Sequence, residues 1–257
     1  MASRKFDFEN AAGRQLSGVL EARKGPVRGW AVFAHCFTCG KASLAATRVS
    51  RALAASGIGV LRFDFTGLGE SDGRFGGGLS ADTQDVVSAA RAMQREGMSP
   101  QLLVGHSFGG AAVLAAASDV SSVKAVAVIG APFAADHVLT HLGPSLSDAA
   151  PGTRVPVTIS GRKFELGADF VRDVCSQDQA ARIADLKRAL LVLHAPTDEV
   201  VSIDSATAIF GAARHPKSFV SLDDADHLLT RKADSLYVSA VISAWVSRYL
   251  GESSAAP

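Results

Sequence analysis

One serine lies in a pattern that suits nucleophilic catalysis. Gly105-His106-Ser107-Phe108-Gly109 fits glycine-x-serine-x-glycine, in which the serine occupies a sharp turn between a strand and a helix. The apolar run 102–104 precedes it and the small-residue stretch 110–114 follows it, as that context requires. Glycines beside the serine let strand and helix approach closely. We therefore predict that Ser107 is a nucleophile; the alternative is an ordinary strand-to-helix turn with an exposed serine.

A serine hydroxyl becomes a good nucleophile when a base, commonly a histidine oriented by a carboxylate, removes its proton. Five histidines follow the serine: His137, His141, His194, His215 and His227. We choose His227 because it lies in a loop just after the late apolar run 219–222, so its imidazole can reach the carboxyl edge of a sheet. His194 has a carboxylate four residues later, which favours a supporting role.

The carboxylate partner is predicted to be Asp198. It lies in the loop after the apolar run 189–193, and it completes the chain order serine, aspartate, histidine. Asp136, which follows an earlier predicted strand, is the alternative.

When such a serine attacks a carbonyl group in acyl transfer, negative charge develops on the carbonyl oxygen, and hydrogen-bond donors must stabilise it. One donor is expected to be the backbone N–H of Phe108, directly after the serine. The other is expected in the loop 35–40 after the apolar run 30–34, and we choose the N–H of Phe37.

The same loop contains Cys36 and Cys39 in a C-x-x-C pattern. A zinc site would need a second such pair, and the remaining cysteine, Cys175, is alone, so no metal is expected. A redox pair is possible, but we favour two small buried thiols beside the active site. The glycine-rich segment 64–73 has the wrong spacing for a dinucleotide site and is interpreted as a structural turn, so no cofactor is expected.

Short apolar runs alternate with helix-like segments along the chain. This alternation predicts an α/β protein with a mostly parallel sheet covered by helices on both faces. Two antiparallel strands are expected first, near 5–9 and 16–21. The alternation breaks over 134–188, where a hairpin and two helices predict a small cap. The expected organisation is therefore a core of 1–133 and 189–250, the cap 134–188, and a flexible tail 251–257.

Apolar residues in and near the cap are candidates for a substrate pocket, although we expect most of them only to pack the cap. The candidates are Phe133, Val138, Leu139, Leu142, Phe164, Phe170 and Val200.

Length and composition narrow the function classes. A chain of 257 residues can bury one sizeable core, and its formal net charge of +1 without a basic cluster argues against nucleic acid or an anionic membrane as partner. The apolar runs are too short to span a bilayer, which takes about 20 residues. With no secretory signal pattern and three cysteines, a cytoplasmic location is expected.

At these residues the chain resembles the α/β-hydrolase superfamily. More narrowly, the segments 33–39, 61–69 and 225–230 resemble the hydrolase half of bacterial α/β-hydrolase–OsmC fusion proteins. The resemblance implies an eight-stranded sheet, a triad of Ser107, Asp198 and His227, esterase-like activity without a cofactor, and an OsmC-like domain or partner. Two features depart from this resemblance. Cys36 stands where most of the superfamily has a glycine, directly after the histidine of the loop 35–40, and no OsmC-like domain follows within the 257 residues.

The function expected from the sequence is that of a serine hydrolase, a carboxylesterase acting on small esters with short acyl chains. A thioesterase or an amidase or peptidase would use the same triad and differ in the leaving group. A thiol redox protein and a non-catalytic binding module are the alternatives from other classes. The oligomeric state is not indicated by the sequence.

Overall fold

The computed structural model describes residues 2–142, 146, 152–159 and 161–250. Within these residues the strands, numbered in chain order, are β1 (Ala2–Lys5), β2 (Phe8–Glu9), β3 (Gln15–Leu16), β4 (Gly18–Ala22), β5 (Gly29–Ala34), β6 (Ile58–Phe63), β7 (Pro100–His106), β8 (Ala125–Ile129), β9 (Arg154–Ile159), β10 (Arg162–Gly167), β11 (Ala189–His194) and β12 (Lys217–Ser221). The α-helices are α1 (Leu44–Ala55), α2 (Gly78–Arg95), α3 (Phe108–Ala116), α4 (Ala168–Cys175), α5 (Gln179–Ala184), α6 (Ile203–Ala212) and α7 (Lys232–Val246).

Eight strands form one sheet in the order β1-β4-β6-β5-β7-β8-β11-β12. The pairs β1–β4 and β4–β6 are antiparallel, and every other neighbouring pair is parallel. The predicted α/β fold with a mostly parallel eight-stranded sheet is thereby confirmed. None of the helices in the described part of the chain is long and apolar enough to cross a membrane.

The central strands are mostly apolar because helices cover both faces of the sheet. Successive residues of β5 alternate between the faces: Ala31 and Phe33 belong to one hydrophobic cluster, and Val32 and Ala34 to the other. Helices α1 and α7 pack together over the first cluster, and α2 and α3 over the second. The carboxyl ends of the parallel strands therefore meet at one edge, where the loops that follow them can converge.

The segment predicted as a cap contains the antiparallel hairpin β9–β10, the helices α4 and α5, and a 3-10 helix, Ala135–His141. Helix α4 packs on α2, and α5 packs on α3. Phe170 and Ile183 are buried in the same hydrophobic cluster as the core helices. The division into core and cap thus stays a prediction, and its tail 251–257 lies outside the described residues.

The start of the chain differs from its prediction. The strands expected near 5–9 and 16–21 are each split, so that β1 and β4 extend the main sheet while β2 and β3 pair separately. The split occurs near Gly18, which packs so closely on Phe6 that a Cβ on Gly18 would be 2.5 Å from the Phe6 carbonyl oxygen.

Candidate active site

Ser107 follows β7 directly and precedes α3. Its backbone has φ 55° and ψ −126°, a conformation that a residue with a side chain rarely adopts and that costs about 1–3 kcal/mol. The Ser107 N–H donates to the Ile129 carbonyl at 2.8 Å, and the Gly110 N–H donates to the Ser107 carbonyl at 2.8 Å. These bonds hold the serine at the tip of the turn, where its hydroxyl faces a cavity.

The two glycines of the motif are required by close packing. A Cβ on Gly105 would lie 2.4 Å from the Gly109 carbonyl oxygen, and a Cβ on Gly109 would lie 2.4 Å from the His35 carbonyl oxygen. Both contacts are with backbone atoms, which cannot move aside like a side chain. The motif therefore joins the strand, the helix and the loop after β5 into one tight unit.

His227 and Asp198 come from the loops after β12 and β11. The His227 Nδ1 is 2.7 Å from the Asp198 Oδ2, and the Asp198 Oδ1 accepts from the N–H groups of Val200 and Val201, each at 2.9 Å. Burial raises the pKa of Asp198, but the hydrogen bonds from His227 and the two backbone groups outweigh it and leave the pKa below its usual value. The carboxylate can therefore orient the imidazole and stabilise its protonated form.

Ser107 and His227 line the same cavity, which has a volume of about 400 Å³. No hydrogen bond among the described residues joins the serine hydroxyl to the imidazole. Such bonds are often long in a protein without substrate and tighten in the complex. Asp136, the alternative acid, lies on the 3-10 helix, and no hydrogen bond in the described part of the chain links it to a histidine.

Two further histidines support this pair. With its proton on Nε2, the buried His194 donates to the Val201 carbonyl at 2.7 Å, and the same nitrogen lies 3.6 Å from the Asp198 Oδ2. His106, beside the serine, donates from Nε2 to the His227 carbonyl at 2.7 Å. Burial, followed by the neighbouring His227, lowers the pKa of His106 to about 4, so this ring is neutral near pH 7. This role of His106 was not predicted from the sequence, where its one signal is its place next to the serine.

The two residues predicted to supply the oxyanion donors belong to the wall of the same cavity. Phe37 and Phe108 line it, their rings lie 5.2 Å apart, and neither backbone N–H makes a hydrogen bond within the described residues. The loop that contains Phe37 is fixed at its start by His35, which donates from Nδ1 to the Cys36 carbonyl at 2.8 Å. Burial lowers the pKa of His35 to about 4, so this ring too is neutral.

The two cysteines of this loop form a disulfide, so the expectation of free buried thiols is wrong. The Cys39 N–H donates to the Cys36 carbonyl at 3.0 Å, and this turn brings the two Cα atoms to 5.3 Å, within the range that a disulfide spans. Cys175 is free and exposed.

Of the seven pocket candidates, Val138 and Val200 line the cavity. Phe133, Leu139, Leu142, Phe164 and Phe170 do not, because they pack within the protein instead. Phe170, for example, is buried with its ring 5.6 Å from that of Phe37, and the Phe164 ring lies 4.9 Å from that of Phe75. Residues that the sequence did not predict as pocket residues complete the wall, among them Thr38, Pro132, His137, His141, Thr158 and Ile159.

Comparisons with known proteins agree with this fold. Residues 26–165, just over half of the chain, match the family described as Serine aminopeptidase, S33 (Hydrolase_4). The esterase domain of a Rhodothermus marinus protein is 42% identical, with a TM-score of 0.82 over 98% of this chain and 100% of that one. The α/β-hydrolase GrgF from Penicillium sp. sh18 is 15% identical, with a TM-score of 0.81 over 97% of this chain and 99% of that one, which shows a shared fold alone.

A curated relative, the uncharacterized protein YfhR of Escherichia coli O157:H7, is 25% identical over 174 residues. That match covers 66% of this chain and 53% of the relative, so the chain spans about half the length of this relative. The family match, together with the esterase domain that aligns along nearly the whole chain, places the protein in the Serine aminopeptidase, S33 family of α/β-hydrolases.

Proposed function

We propose that the protein is a carboxylesterase that uses Ser107, His227 and Asp198 as a catalytic triad. The observation that carries the proposal is the convergence of three features on one cavity. These are a serine on a strained turn, a histidine–aspartate pair joined at 2.7 Å, and two backbone N–H groups without a partner among the described residues. Each feature corresponds to one requirement of acyl transfer.

The reaction follows from this arrangement. The Ser107 hydroxyl attacks the ester carbonyl while His227 Nε2 takes its proton, and Asp198 stabilises the imidazolium. The N–H groups of Phe37 and Phe108 hold the oxyanion. When the tetrahedral intermediate collapses, His227 gives the proton to the departing alcohol. Water, deprotonated by His227, then attacks the acyl-enzyme and releases the acid and the serine.

The cavity favours small substrates. A volume of about 400 Å³ lies near the lower end of the range for small-molecule sites. Val138, Ile159 and Val200 supply apolar surface for an acyl chain, and His137 and Thr158 supply polar groups. This lining supports short-chain acyl esters, and the similarity to an esterase domain supports ester rather than other acyl substrates.

The test is covalent labelling combined with substitution of the nucleophile. A fluorophosphonate should modify Ser107, and Ser107→Ala should lose labelling and at least 10³-fold in kcat on p-nitrophenyl butyrate. Ser118→Ala, at an exposed serine beyond the end of α3, is the matched control and should keep both. A Ser107→Ala protein that hydrolyses the ester at the rate of the unsubstituted protein would refute the proposal.

Amide cleavage is a second candidate, because the matching family is described as a serine aminopeptidase. The same triad serves ester, thioester and amide substrates, which differ in the leaving group. The three activities are distinguished by measuring kcat/KM on an ester, a thioester and an amide that carry the same acyl group. The highest kcat/KM on the ester supports the carboxylesterase, and the highest value on the amide supports the peptidase.

A further inference from the structure

The Cys36–Cys39 disulfide lies inside the active site, yet no step of the proposed reaction uses it. Both cysteines line the cavity together with Ser107 and His227. The bond closes a small ring whose two inner residues are Phe37 and Thr38. One of the two proposed oxyanion donors is therefore held within this ring.

The ring bears directly on the direction of the Phe37 N–H. The Phe37 side chain is fixed separately, because its ring packs within 5.6 Å of the rings of Phe75, Phe108 and Phe170. The N–H direction depends instead on the backbone torsions between Cys36 and Phe37, which the disulfide restrains. Without the disulfide, two hydrogen bonds still restrain those torsions. The Cys36 carbonyl accepts one from the Cys39 N–H and the other from His35.

The disulfide can be reached through the cavity. Cys36 is buried, with 5% of its surface exposed, whereas Cys39 is partly exposed. A thiolate that enters the cavity therefore has Cys39 as its point of attack. Thiol–disulfide exchange proceeds by such an attack and requires access to one sulfur.

We propose that the Cys36–Cys39 disulfide is a redox site through which dithiols control the hydrolase. A dithiolate sulfur attacks the Cys39 sulfur and forms a mixed disulfide, and the Cys36 sulfur leaves with the electron pair of the broken bond. The second sulfur of the reductant then closes on the first and releases Cys39. The dithiol is oxidised to its cyclic disulfide, and its two electrons and two protons convert the cysteines to thiols.

The oxidised protein is the more active form. Loss of a whole oxyanion donor lowers kcat by about 10²–10³. Opening the ring removes one of the restraints on the Phe37 N–H and keeps the two hydrogen bonds, so reduction should lower kcat by about tenfold. KM should change little, since the cavity wall keeps its residues. This expectation rests on the proposed function, because it uses the oxyanion role of Phe37.

The experiment is a redox titration of the full chain. The protein is equilibrated with mixtures of reduced and oxidised dithiothreitol, its free thiols are counted by alkylation and mass spectrometry, and kcat on p-nitrophenyl butyrate is measured in each mixture. We expect one thiol, Cys175, in the oxidised protein and three in the reduced protein. The loss of kcat should follow the two new thiols with the same midpoint and reverse on reoxidation.

Two variants sharpen the titration. Cys175→Ser removes the exposed free cysteine and should leave the kcat response unchanged. The double variant Cys36→Ser, Cys39→Ser should have the low kcat of the reduced protein in every mixture. Circular dichroism in each mixture monitors folding, so that a fall in kcat caused by unfolding is recognised and counts against the proposal.

Other outcomes would overturn it as well. These are a kcat that stays constant while the disulfide opens, and cysteines that remain thiols in every mixture. Failure of the proposed function gives a different result: the oxidised protein would then neither hydrolyse the ester nor react with a fluorophosphonate at Ser107, whatever its thiol count.

Discussion

His106 connects the nucleophile turn with the loop that carries the proposed base. It immediately precedes Ser107 in the chain, and it donates a hydrogen bond to the backbone carbonyl of His227 at 2.7 Å. The two imidazole rings lie 5.3 Å apart at an angle of 37°. We infer that His106 is a positioning residue, because it sets the place of the His227 backbone relative to the serine and has no direct part in proton transfer.

The lowered pKa of His106 makes a prediction about stability. In the unfolded chain a histidine takes up a proton near pH 6.5, whereas the folded protein resists protonation of His106 until about pH 4. The contribution of His106 to the free energy of unfolding is therefore fully present above pH 6.5. It decreases by about 3 kcal/mol as the pH falls towards 4.

His106→Gln keeps an N–H donor and removes the titrating group. The free energy of unfolding of the unsubstituted protein minus that of His106→Gln should thus decrease by about 3 kcal/mol between pH 7 and pH 4. Urea unfolding at several pH values measures both proteins, and the subtraction removes the contributions of the other titrating groups. A difference that is constant with pH would show that His106 is protonated equally in both states.

Among the elements, the end of β8 lies against the proposed histidine–aspartate pair. Gly130 follows this strand with φ 55°, and its N–H donates to the Leu193 carbonyl at 2.9 Å. A Cβ at this position would be 3.3 Å from both the Asp198 Oδ2 and the His227 Nδ1. Such contacts are tight enough to displace the pair by a few tenths of an ångström.

Gly130→Ala should therefore lower kcat by about five- to tenfold, since small displacements of catalytic groups have large effects on rate. Gly97→Ala is the matched control: Gly97 also has a positive φ, 73°, but nothing lies within 4 Å of a Cβ there. Both substitutions should destabilise the fold by about 1–2 kcal/mol through the backbone conformation. Ester hydrolysis and thermal unfolding of both variants separate the two effects, and an equal kcat in the two would contradict the prediction.

The elements also show which parts of the fold the sequence could predict. Strands β5, β6, β7, β8 and β11 were predictable because both of their faces are buried and their sequences are mostly apolar, with Arg62 of β6 as the charged exception. Strand β1 is exposed throughout and has no such pattern. The loops that hold Asp198 and His227 were predictable from chain order, since the residues after parallel strands share one edge of the sheet.

Other features of the site depend on contacts that a linear pattern does not record. The spacing of Cys36 and Cys39 permits a disulfide, but the backbone turn between them decides that one forms. Likewise, an aromatic residue such as Phe170 looks the same in sequence whether it lines a cavity or packs against a core helix. The OsmC-like partner and the cytoplasmic location stay predictions.

In the protein as a whole, a charge cluster that is buried except at Glu70 joins the loop of Phe37, the proposed oxyanion donor, to the sheet. The Lys41 Nζ lies 2.5 Å from the Asp64 Oδ2 and 2.7 Å from the Glu70 Oε2, and Arg62 donates to the Lys41 carbonyl at 2.5 Å. Burial lowers the pKa of Lys41, but its bonds to Asp64 and Glu70 outweigh this and hold the pKa above its usual value. Within the glycine-rich segment 64–73, this cluster requires a glycine at position 69, because a Cβ on Gly69 would overlap the Asp64 carboxylate.

Removal of the lysine charge should destabilise the whole protein. The Asp64 side chain is only 3% exposed, so Lys41→Met leaves a buried carboxylate without its cation, which typically costs about 3–5 kcal/mol. Lys187→Met is the matched control, because it breaks an ion pair with Asp185 in which the two side chains are 72% and 66% exposed. This substitution should change the free energy of unfolding by less than about 0.5 kcal/mol. Urea unfolding at pH 7 measures both changes. Equal values for the two variants would mean that solvent screens the Lys41 cluster as well as it screens a surface pair. The loop of Phe37 would then be held by its hydrogen bonds and packing without help from these charges.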